Sequence, residues 1–122
     1  MKQIVSARIS PATPATTRGI RVLVDATWPE GLNKEAVDRW IPELAPSNWL
    51  LNRFGRDRVR WGTFRSRYRR QLTARKRLEF LTEITRLSAT DTITLVTAAP
   101  AGTVNHARII AETLTREVKT WA

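Results

Sequence analysis

A chain of 122 residues, 42% hydrophobic and 26% charged, suits one compact domain around a single core and excludes a two-domain enzyme. The absence of cysteine and the presence of one histidine remove disulfides, thiolate nucleophiles, cysteine zinc sites and histidine-rich metal clusters. The net charge is +10, and no apolar run approaches the roughly eighteen residues of a membrane span, so a soluble, cytoplasmic protein with no membrane association is expected.

The first segment, Lys2 to Ile9, alternates loosely and reads as a strand rather than as the core of a signal peptide. Ser10 to Gly19 carries two prolines, four Ser/Thr and a glycine, the composition of a surface loop long enough to act as a flap. Ile20-Arg21-Val22-Leu23-Val24 is β-branched and predicts a second strand. After the break at Trp28-Pro29-Glu30-Gly31, Asn33 is placed to cap a helix from Lys34 to about Ile41, which Pro42 ends. Ser47 is the expected cap of a short helix through Phe54, with Gly55 as its stop.

Asp57 then caps a longer predicted helix, in which Trp61, Phe64, Tyr68 and Leu72 recur at helical spacing and form a stripe expected in the core. Leu78, Leu81, Ile84 and Leu87 mark the next helix, Thr92 to Thr97 a buried third strand, and Val104 to about Lys119 a closing helix. The alternation of strands and helices predicts an α/β fold: a single compact domain spanning 1–122, with a small, mainly parallel sheet flanked by helices. In such sheets ligands bind beyond the carboxyl ends of the strands, here next to Asp25–Gly31 and Ala98–His106.

The charge is concentrated. Residues 53–77 hold eleven bases, ten of them arginine, against the single acid Asp57, which leaves ten bases and ten acids for the rest of the chain. Arg60, Arg67 and Arg70 project away from the predicted apolar stripe and Arg65 and Arg69 border it, so these five are the candidate anion-binding residues. Like charges at such spacing repel, which calls for an anionic partner or for acids such as Glu79, Glu83, Glu112 and Glu117 packed against them.

Several stretches together carry a resemblance: Arg21-Val22-Leu23-Val24-Asp25 with Trp28-Pro29 and Gly31, Glu43-Leu44-Ala45-Pro46-Ser47, Arg60-Trp61 with Phe64-Arg65 and Arg67-Tyr68, and Asn105-His106-Ala107. The chain resembles the YeaO-like proteins, domain of unknown function 488, over nearly its whole length. The resemblance implies a small, mostly bacterial, cytoplasmic α/β domain and brings no established activity with it. Asp25, Trp28, Ser47, Asn105 and His106 match the family pattern. Where family members typically carry arginines, this chain has Ala26 and Glu30; Ser10-Pro11 replaces a Tyr-Asp pair, and Pro100 and Ala101 stand where a lysine and an aspartate are common.

Two functional readings follow. In the first, the arginine segment binds nucleic acid or another polyanion without sequence preference, and the interspersed Trp61 and Tyr68 would add stacking, against which stands their place in the predicted core stripe. In the second, Asp25 and His106 are catalytic candidates in a strand-end cleft with Trp28, Ser47 and Asn105, acting on a small phosphorylated molecule. Each has a plain structural counterpart: a solvated helix face, a turn-binding aspartate, a packed histidine. Walker, dinucleotide-glycine, zinc-finger and RNA-recognition motifs are absent, and no metal or cofactor is expected.

Overall fold

The computed structural model describes residues 2–12, 19–55, 60–100 and 103–121, with side chains described to residue 115 in the last of these. Four parallel strands form one sheet: β1 (Ile4–Arg8), β2 (Ile20–Leu23), β3 (Arg39–Trp40) and β4 (Ile93–Thr97), in the order β1-β4-β2-β3. All five residues of β4 are buried, because a strand paired on both sides and covered on both faces meets no water. This is why Ile93-Thr94-Leu95-Val96-Thr97 reads as an apolar run rather than an alternation. Among the described residues the α-helices are α1 (Asn48–Phe54), α2 (Trp61–Leu72), α3 (Arg75–Leu87) and α4 (His106–Trp121).

The strand period of two divides the core. Val22, Val24, Ile93 and Leu95 face the helices, where Leu50, Phe64, Tyr68, Leu72, Ile84 and Ile110 are fully buried. Leu23 and Val96 point the other way, onto Ile9, Leu32, Ala36 and Val37. Gly19 enters β2 at φ +84°, and a Cβ there would lie 2.0 Å from the Thr92 carbonyl oxygen, so the crossing beside β4 requires glycine.

The segment expected as a helix over 34–41 is built differently. Lys34–Ala36 makes one 3-10 turn, capped by the Asn33 side chain accepting from the Glu35 amide, and Arg39–Trp40 then pairs with β2. A helix of eight residues ending at Pro42 is marginal on its own. The open edge of β2 takes the backbone groups instead, through Asp38 N to Arg21 O and Ile41 N to Leu23 O, both 2.9 Å. Ser47 does cap α1, accepting from the Leu50 amide. Gly55 stops α1 at φ −82°, where close approach to Leu51, rather than a left-handed turn, excludes a side chain.

In α2 the stripe holds for Phe64, Tyr68 and Leu72, all fully buried, and fails for Trp61, which is 36% exposed. Trp61 is the first residue of the helix and overhangs the core. Leu78, in the first turn of α3, is exposed as well. The Asp57 cap, most of the Pro-rich loop, Ala101 and the side chains of Glu117 and Val118 lie outside the described residues. None of the described helices is long and apolar enough to cross a membrane.

Candidate functional site

Asp25 sits one residue beyond Val24, whose amide bonds to the Val96 carbonyl, so β2 delivers its carboxylate beside the end of β4. There the Thr97 hydroxyl donates to Oδ1 at 2.7 Å and the Ala98 amide to Oδ2 at 2.8 Å. His106, the first residue of α4, brings Nε2 to 3.0 Å from the same Oδ1 and 3.1 Å from the Val24 carbonyl oxygen. Both neighbours of Nε2 are acceptors, so this nitrogen carries the hydrogen. Burial raises the affinity of Asp25 for a proton, but the hydrogen bonds from His106 and Thr97, with the Ala98 amide, outweigh it and hold the carboxyl below its ordinary value.

The rest of the setting is equally closed. The Asp25 carbonyl accepts from Trp40 Nε1 at 2.8 Å, and the Tyr68 ring packs edge-on against His106 with centroids 6.2 Å apart. The Tyr68 hydroxyl donates to the Leu44 carbonyl; burial, only partly offset by Arg77, pushes its pKa well above the ordinary value. His106 is 4% exposed, and its Nδ1 is buried with no hydrogen-bond partner. A general base needs a free nitrogen within reach of a substrate proton, and here the free nitrogen is sealed. Among the described residues the hydroxyl on the carboxylate is that of Thr97, which donates to Asp25 and accepts from the Ala99 amide at 3.1 Å.

A cavity of about 490 Å³ lies over this network, between the strand ends, α1 and the start of α4. Asp25 and His106 form part of its wall with Asn48, Asn52, Thr27 and Thr103, and apolar residues including Ala26, Leu51, Ala98 and Pro100 supply much of the rest. The three other residues expected in this cleft do not line it. Trp28 turns away, donating to the Leu32 carbonyl and meeting Trp40 edge-on on the far side of the sheet end. Ser47 is held by its capping bond and by Gln71 Nε2 at 2.9 Å, and Asn105 caps α4 by accepting from the Arg108 amide. In each case a backbone or side-chain partner orients the polar group away from the space. Among the described residues no three His, Cys, Asp or Glu side chains gather to hold a metal ion.

The arginines divide into two sets. Arg65 and Arg69 of α2 reach Glu112 of α4 at 3.8 and 3.6 Å, and Arg108 reaches it at 3.1 Å, so one of the acids expected to offset the segment does so. Glu83 takes Arg39 instead. Arg60, Arg67 and Arg70 are exposed. Arg60 donates to the Arg53 carbonyl, and Arg67 lies over two aromatic rings, 5.7 Å from the centroid of Trp49 and 5.2 Å from that of Phe54. Trp49 is 56% exposed and meets Phe54 edge-on at 5.8 Å, with Arg53 6.0 Å over Phe54. Sequence reading missed Trp49, Thr97 and Arg8. Trp49 was legible as an aromatic four residues before Arg53 and off the face that carries Leu50 and Phe54.

A family model described as the inactive DUF488-N3 subclade matches residues 3–122. The chain belongs to the DUF488 family. Its YeaO-like character is seen in relatives: the uncharacterized protein YeaO of Escherichia coli (strain K12) is 33% identical over 98 residues, 79% of this chain and 84% of the relative. An uncharacterized protein of Mycobacterium tuberculosis (strain ATCC 25618 / H37Rv) is 34% identical over 98 residues, covering 79% and 80% respectively. No solved structure matches. Ala26 and Pro100, two of the positions at which the chain departs from the pattern the resemblance implies, both line the cavity.

Proposed function

We propose that this DUF488 protein is a non-enzymatic binder of polyanions, single-stranded nucleic acid foremost, acting without sequence preference through the arginine segment 53–77. The observation that carries the reading is the surface cluster of Trp49, Arg53 and Arg67 around the half-buried Phe54 on α1 and α2. It supplies a stacking platform beside guanidinium groups, the pairing by which sequence-tolerant sites hold bases and phosphates together. Arg60, Arg67 and Arg70 add exposed charge on the same segment. The sealed Nδ1 of His106, the apolar residues Ala26 and Pro100 and the description of the subclade as inactive all argue against chemistry in the cleft.

A second reading keeps the strand-end cavity as a small-ligand site, favoured by its volume of about 490 Å³ and by Asn48 and Asn52 in its wall. Fluorescence anisotropy with a labelled oligothymidylate across a salt series separates the two. If about five phosphates are neutralised, log K falls against log salt with a slope of roughly −3.5 for single strands and about −4.5 for duplex. Trp49→Ala weakens single-strand binding, and Arg60→Ala with Arg67→Ala and Arg70→Ala flattens the slope by up to about one unit per lost contact. Absence of binding at low salt defeats the polyanion reading and leaves the cavity.

A further inference from the structure

We infer a second, separate anion site in the hollow between the end of β1, the start of α2 and the start of α4, which takes a phosphate monoester carried beside a flat ring, as in a nucleoside monophosphate. The hollow has a volume of about 230 Å³ and is lined by Arg8, Arg65 and Arg108 together with Trp61 and Asn105. Three different elements thus contribute an arginine to one wall, and an indole that would be core by its spacing forms part of it at 36% exposure.

The charge there is out of balance. Arg8 is fixed by three carbonyl oxygens, of Ala99, Pro100 and Thr103, at 2.5 to 2.9 Å, which orient it and leave its charge uncancelled. Arg65 and Arg108 of this wall share the single carboxylate of Glu112 with Arg69, which lies outside the hollow. Three arginines on one carboxylate, with Arg8 in the wall of the same hollow, leave positive charge there for a further acceptor. A phosphate supplies several strong acceptor oxygens to guanidinium forks, and Trp61 offers the adjoining ring a surface on which to stack. The volume suits the phosphate and part of the ring, with the remainder at the open mouth. The site does not depend on the Trp49–Arg67 platform and stands whether or not that face binds polyanions.

The test is calorimetric titration of the full chain at low salt with adenosine monophosphate, inorganic phosphate and adenosine, with the Asn105 and Arg108 amide resonances reporting location. Adenosine monophosphate is expected to bind at least about fivefold more tightly than inorganic phosphate, Trp61→Ala to remove that advantage, and Arg108→Ala to weaken binding roughly tenfold. Glu112→Gln is expected to tighten it, because the carboxylate that competes for Arg65 and Arg108 is gone; a merely misfolded variant cannot do this. A 5′-phosphorylated thymidine trinucleotide that binds more tightly than both the monophosphate and its 5′-hydroxyl counterpart assigns the same chemistry to a strand terminus. The proposal is overturned if neither phosphorylated ligand binds, if inorganic phosphate binds as tightly as both, or if Glu112→Gln weakens binding.

Discussion

The end of the sheet and the outer face of α1 and α2 use polar residues in opposite ways. At the sheet end Asp25, Thr97 and His106 point inward and close on one another, so that β2, β4 and α4 are tied at one spot. On the helix face Arg53, Arg67 and Trp49 lie at the surface with water as their alternative partner. Residues that look catalytic by type thus have partners within the fold, and residues that look like solvated surface lie where water reaches them. The difference is one of satisfaction: a polar group whose partners are all internal stabilises, and one whose partners are solvent is available.

The sharpest way to break this comparison is Asp25→Ala. It leaves the Thr97 hydroxyl, the Ala98 amide and His106 without their shared acceptor, and should cost about 3 kcal/mol or more of unfolding free energy, read by denaturant titration. A loss below about 1 kcal/mol would show that this network is not structural. Tyr68→Phe should cost about 1 to 2 kcal/mol by removing the bond to the Leu44 carbonyl from a fully buried site.

Acid should act on this network before it acts on the arginine face. The Asp25 carboxyl is held below its ordinary value, so its contribution is complete above the unfolded-state pKa of about 4 and is lost as the pH falls through the folded value. Stability followed by denaturant titration from pH 6 downward should therefore decline below about pH 4, and less steeply in Asp25→Asn. Asp38, lowered chiefly by its hydrogen bond from Arg21, adds to the decline in the same direction and is unaffected by that substitution.

The smallest expected effects on stability come from the surface. Arg60→Ala with Arg67→Ala and Arg70→Ala should change unfolding free energy by less than about 1 kcal/mol while altering the salt slope of polyanion binding. Glu83→Gln, which breaks the exposed pair with Arg39, should change stability by no more than about 1 kcal/mol. A large stability loss from the triple change would mean that the arginine face is part of the fold's support and would dissolve the contrast.

Much of this molecule is written locally. The β-branched run at Ile20–Val24, the capped start at Ser47 and the apolar run at Ile93–Val96 depend on backbone sterics and near neighbours, so the parallel α/β domain and the DUF488 resemblance were legible in the chain alone. The concentration of charge in residues 53–77 was equally plain. What only the tertiary structure decided was the partner of each polar group. Arg39–Trp40 became a strand because the β2 edge lay open, and Trp61 left the core because its helix begins beyond it. Ser47 and Asn105 went to helix ends, Trp28 to a loop carbonyl, and His106 to Asp25 across 81 positions of sequence. A hydrogen bond is formed by whichever acceptor the fold brings within about 3 Å, and sequence spacing carries that information only within an element.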